Sequence, residues 1–118
     1  MTDSILLTIK TMLGPSADYD EFEGDIIVFI NNAFLDLNQI GVGPEEGFMI
    51  EGKDETWEDF IPEKNLVKLQ AVKTYIYLKV KQIFDPPSSS AVLESYQRTI
   101  DKIEWRLNHA VDPGEEEI

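Results

Sequence analysis

Residues 62–87 read Pro-Glu-Lys-Asn-Leu-Val-Lys-Leu-Gln-Ala-Val-Lys-Thr-Tyr-Ile-Tyr-Leu-Lys-Val-Lys-Gln-Ile-Phe-Asp-Pro-Pro, and this stretch decides the fold. Leu66, Leu69, Val72, Ile76, Val80 and Ile83 recur at steps of three and four, one face of an α-helix, while Tyr75, Leu78 and Phe84 carry apolar surface around its sides. A helix apolar over so wide an arc has to be packed from several directions, so the spacing predicts a central helix. Pro62 suits a first helical turn, where its missing N–H has no partner to lose. Pro86 and Pro87 cannot continue the helix.

The flanking segments supply the elements that pack on it. Before it, Ile5, Leu6, Ile9, Met12 and Leu13 predict a short amphipathic helix, with Thr2 or Asp3 as its cap and Gly14-Pro15 as its stop. Ile26, Ile30, Ala33, Leu37 and Ile40 predict a second core helix ending at Gly41. Its approach holds Asp18, Asp20, Glu21, Glu23 and Asp25, with Asp20 and Glu23 at capping-box spacing. After the central helix, Ser88, Ser89 and Ser90 offer N-caps for a last helix with Val92, Tyr96, Ile100, Ile103, Leu107 and Ala110 on its apolar face, from which Trp105 is displaced.

Residues 41–60 break the pattern with four glycines and a proline. Phe48 to Glu51 and the residues around Thr56-Trp57 are candidates for two short strands about a Gly52-Lys53-Asp54 turn, or for an irregular excursion; Thr56 and Asp59 have the spacing to cap a short helix through Phe60. The fold class is therefore mainly α, a four-helix arrangement with a small β-hairpin or irregular excursion between helices 2 and 3. Residues 1–110 form one domain, a length sufficient for one core, and 111–118 have the composition of a flexible acidic tail.

Charge is the strongest compositional deviation. The net charge is −13 over 118 residues. Residues 1–60 carry 14 acids against Lys10 and Lys53, whereas residues 61–118 carry 9 acids against 8 bases. Such a surface repels phosphate backbones and disfavours nucleic-acid binding by counterion release. The chain contains no cysteine, so disulfides and thiolate metal sites are ruled out, in keeping with a reducing compartment. Its apolar runs fall short of membrane-spanning length, and its N-terminus lacks the pattern of a secretory signal.

No constellation carries chemistry. Asp18-x-Asp20 opens like a calcium loop but meets Phe22 and Phe29 where oxygen ligands are needed. Gly41-Val-Gly43 lacks the third glycine of a dinucleotide cradle, and His109, the sole histidine, has no second ligand or nucleophile at motif spacing. What stands out is a lysine flank, Lys68, Lys73, Lys79 and Lys81, in a helix free of acids between Asn65 and Phe84. It can pair with the acidic first half of its own chain or with Asp18, Asp20, Glu21 and Glu23 of an identical neighbour, a head-to-tail contact that propagates or closes into a ring. Phe48, Met49, Ile50 and Trp57 are the excursion's candidates for partner contact.

Gly41-Val-Gly-Pro-Glu-Glu-Gly-Phe48, Ala71-Val-Lys-Thr-Tyr-Ile-Tyr-Leu-Lys-Val-Lys81 with its continuation to Ala91, and Glu104-Trp-Arg-Leu-Asn108 together resemble the small head-tail connector (adaptor) proteins of tailed phages and prophages of Gram-positive bacteria. The resemblance spans Ile5 to Ala110. It implies a non-enzymatic virion protein without cofactor or membrane association. Such a protein assembles as a homo-oligomeric ring under the portal, with symmetry following the portal, and extends the DNA channel without specific DNA contact. It also docks the next neck or tail protein. A different reading of the same acidity is a DNA mimic that binds a basic partner.

Overall fold

The computed structural model describes residues 3–15, 20–61 and 66–110. Expectations for Thr2, Asp18, Pro62 and the tail from 111 lie outside them. Five α-helices and one 3-10 turn follow in order: α1 (Ile5–Leu13), the 3-10 turn (Asp20–Phe22), α2 (Glu23–Gln39), α3 (Trp57–Phe60), α4 (Leu66–Phe84) and α5 (Ser90–Ala110). The chain is mainly helical, and among the described residues it has no β-strand.

The central element is α4. Against it pack α2, α5 and α1, with α1 also touching α2, whereas α2 and α5 share at most marginal contact. Val72, Tyr75, Ile76 and Val80 are fully enclosed and Leu78 nearly so, as the wide apolar arc requires. The ends of the stripe depart from expectation: Leu66 is 76% and Ile83 59% exposed, and at the C-terminal end it is Phe84, edge-on to Phe22, that makes the contact. The core they share holds Ile5, Leu6 and Ile9 from α1, Ile26, Ile30, Ala33, Phe34 and Leu37 from α2, and Ile100, Ile103 and Leu107 from α5. No described polar or charged residue is fully buried.

The caps differ in detail. α1 is capped by Ser4, whose Oγ accepts from the Leu7 N–H at 3.2 Å, and not by Asp3, whose carbonyl is taken by the Trp57 N–H. Gly14 ends α1 at φ 95°, a conformation cheap only for glycine. The N-cap of α2 is Phe22, without a side-chain bond, and not Asp20 as the spacing predicts. Thr56 and Asp59 do form one at α3, and Ser89 Oγ meets the Val92 N–H at the start of α5.

Residues 40–56 take the irregular form, and no hairpin forms. The hairpin fails because its main-chain groups are engaged elsewhere. Asn31 of α2 binds both the N–H and the carbonyl of Ile50, at 2.8 and 3.0 Å, and the Glu55 carboxylate accepts from the Glu51 and Gly52 N–H groups. Thr56 pairs instead with Ser4 in a single antiparallel bridge, flanked by Ile5 N–H to Glu55 carbonyl at 3.0 Å. Phe48 and Phe60 then close on Phe34 with ring centroids 4.6 to 5.3 Å apart. The excursion is thus fastened to α2 by side chains and to the start of α1 by backbone.

Candidate interaction site

The lysine flank of α4 is engaged within the subunit. Lys79 Nζ lies 2.8 Å from the Asp36 carboxylate of α2 and 5.6 Å above the Tyr75 ring, and Lys81 Nζ lies 2.9 Å from Asp85. The hydrogen bond that Lys81 donates to Asp85 holds its ammonium above the ordinary lysine pKa, against the opposing pull of burial. Lys73 sits 5.6 Å from the centroid of the Trp57 ring, a cation–π distance. Lys68 is half-buried, makes its interaction inside the chain, and lines an open groove of about 390 Å³ with Gly43, Pro44, Asp59 and Phe60. Of the acids named as their partners, Glu23 is 3.3 Å from Lys10, Glu21 is exposed, Asp20 belongs to the 3-10 turn and Asp18 lies outside the described residues. Among the described residues, Glu21 and Glu23 therefore do not pair with these lysines; Asp36 meets Lys79 and Asp85 meets Lys81.

The four excursion residues divide. Ile50 is 1% and Trp57 2% exposed, and Trp57 Nε1 donates to Thr8 Oγ1 at 3.1 Å, so both are structural ties between the excursion and the core. Met49 is 66% exposed, and Phe48 is half-buried against Phe34. Met49 and Phe48 border an open groove of about 430 Å³ whose other walls include Leu35, Asn32 and Asn38 of α2 and Glu46 of the loop. Leu35 is itself 57% exposed.

The surface that sequence reading passed over is the outer side of α5. Ile100, Ile103 and Leu107 face α4, and Arg98, Lys102 and Trp105 recur at i, i+4 and i+7 on the other side, all exposed. Arg106 extends the basic edge. The His109 ring stacks on Trp105, centroids 3.9 Å apart, and its Nδ1 is 2.7 Å from the Trp105 carbonyl. Among the described residues, none of Arg98, Lys102 and Arg106 forms an ion pair. The displacement of Trp105 from the apolar stripe was the sequence signal for this face.

His109, the sole histidine, has its Nδ1 taken up by the Trp105 carbonyl of its own helix. Among the described residues no three His, Cys, Asp or Glu side chains cluster as a metal site, and no helix is long and apolar enough to cross a membrane. The Tyr75 phenol is pushed well above the ordinary tyrosine pKa, first by burial and then by its 2.6 Å bond to Glu104, which fixes α4 to α5.

Comparison with curated proteins finds no significant match, and neither does comparison with solved structures. Comparison with protein families finds one that spans residues 5–114, almost the whole helical unit with its buried apolar core and its charge carried outward, and by that match the chain belongs to the phage connector proteins, structural components of the phage head–tail connector.

Proposed function

We propose that the protein assembles as a homo-oligomeric ring beneath the portal vertex, extends the DNA channel and presents the docking surface for the next neck or tail protein. The observation that carries this reading is the family match over residues 5–114. The charge supports it: a subunit at −13 lets a polyanion slide past without being held. The packing supports it too, since a layer in which α4 separates α2 from α5 leaves two outward helix faces for neighbours on either side. In this role the protein catalyses nothing and requires no cofactor. Its partners are further copies of itself, the portal and the downstream neck or tail protein, and its place is the neck of the virion.

Averaged electron-microscope images of the portal, alone and mixed with this protein, test the assignment. The expected result is an added annulus on the outer face of the portal with a continuous central opening. Particles indistinguishable from portal alone overturn it.

A further inference from the structure

The geometry points to a specific self-contact: the Arg98–Lys102–Trp105 face of α5 docks into the Leu35–Met49 groove of a second copy of this chain, head to tail. This inference names the subunit contact for the ring of the proposed function and rests on that reading. Trp105, 62% exposed, is a large amphipathic ring on a rigid helix, the side-chain type that most often dominates interface energy. It is flanked by Arg98, Lys102 and Arg106, cations without an ion pair among the described residues in a protein that is otherwise strongly acidic.

The groove is the complement. Its apolar walls, Leu35 and Met49, are more than half exposed, it is roomy at about 430 Å³, and Glu46 lines it, with Glu45 exposed next to it in the chain. The match is of both kinds at once: indole against Leu and Met, and guanidinium and ammonium against carboxylates. Leu35 faces away from the buried side of α2 formed by Ile26, Ile30 and Leu37, and Trp105 away from the buried side of α5. Because both helices lean on α4 from different sides, one chain cannot bring its own Trp105 to its own groove. A second copy can, and the pair then keeps one face of each kind unfilled, the requirement for a heterologous ring.

The absence of cysteine makes the test direct. Because Trp105 and Leu35 form the contact itself, the probes go beside them: Asn108→Cys and Asn32→Cys replace exposed side chains, one turn from Trp105 and in the groove wall, and a short bismaleimide then reports their proximity, in the protein alone and on the portal. The double variant should give a ladder of crosslinked multimers. The two single variants mixed should stop at a dimer, and each single variant alone should give none. Lys102→Glu with Arg98→Glu should abolish the crosslink, and Glu45→Lys with Glu46→Lys in the partner should restore it.

An annulus on the portal without the Asn108–Asn32 crosslink overturns this contact and leaves the ring reading intact. Asn108→Cys linking mainly to itself overturns it in favour of a two-fold pairing. Protection of that cysteine from maleimide by duplex DNA, lost in Lys102→Glu, overturns it in favour of a nucleic-acid face. Crosslinking without an annulus upholds the self-contact and removes the portal ring.

Discussion

Asn31 on α2 holds the backbone of Ile50 from both sides, accepting its N–H at 2.8 Å and donating to its carbonyl at 3.0 Å, as a neighbouring strand would. One side chain thereby replaces a ladder and lets an irregular segment lie against a helix with its main chain satisfied. Asn31→Ala leaves both Ile50 groups without that partner and should lower unfolding stability by about 1–3 kcal/mol. Asn31→Asp keeps the acceptor but sets a carboxylate against a carbonyl, and should recover only part of the loss. Urea titrations of the three proteins measure it, and an unchanged midpoint in Asn31→Ala removes the tie.

Gly43 sits at φ 91°, and a Cβ there would overlap the Phe60 ring. Gly47 has φ 97° with open space around it. Gly43→Ala suffers both the backbone conformation and the clash, and Gly47→Ala the conformation alone. The expected order of thermal midpoints is wild type, Gly47→Ala, Gly43→Ala, with the last cost about 2 kcal/mol or more. Equal midpoints for the two variants contradict the contact with Phe60.

The helices were legible because their signals are local. The α4 stripe, the Thr56–Asp59 box, the Ser88–Ser90 cap region and the stop at Gly14 all lie within a turn or two of what they control. The excursion was not, because its outcome turns on Asn31, 19 residues from Ile50, and on Ser4 meeting Thr56. The short apolar run Phe48–Ile50 is compatible with extended backbone and leaves its partner open. The lysine row left two alternatives open for a related reason: whether it meets its own chain turns on Asp36 beside Lys79 and Trp57 beneath Lys73, each far away in the sequence. Trp105 was noticed as off-stripe, but only the packing of α5 on α4 shows that it shares an uncovered face with Arg98 and Lys102.

Tyr75 links α4 to α5 through its 2.6 Å bond to Glu104, and burial and that bond both hold the phenol protonated. Tyr75→Phe should cost about 1.5 kcal/mol at neutral pH. The alkaline limb carries a sharper signature. Above about pH 10 an unfolded tyrosine releases its proton while Tyr75 in the native state keeps it, so the unfolded state binds fewer protons and stability falls as pH rises. That contribution, up to about 1.4 kcal/mol per pH unit, is missing in Tyr75→Phe. The stability difference between the two proteins should therefore shrink from pH 9 to 11 in urea titrations; a constant difference contradicts the raised pKa.

Lys79 and Lys102 separate folding from assembly. Lys79 and Asp36 are partly exposed, 29% and 37%, so solvent screening keeps the pair to roughly 0.5–1 kcal/mol. Lys79→Glu, which puts two carboxylates together, should nonetheless lower unfolding stability measurably, and Asp36→Lys in the same chain should restore it, independent of protein concentration. Lys102 is exposed with no ion-pair partner among the described residues, so Lys102→Glu should change stability by less than about 0.5 kcal/mol. Its effect belongs to assembly: the yield of annuli on the portal should drop, and only a compensating change in the neighbouring copy should recover it. Denaturation of the isolated protein and annulus counts on the portal, measured on both variants, give a double dissociation if α4 lysines serve the subunit and α5 cations serve the ring. Should Lys79→Glu lose annuli at unchanged stability, the α4 flank faces a neighbour after all and the division fails.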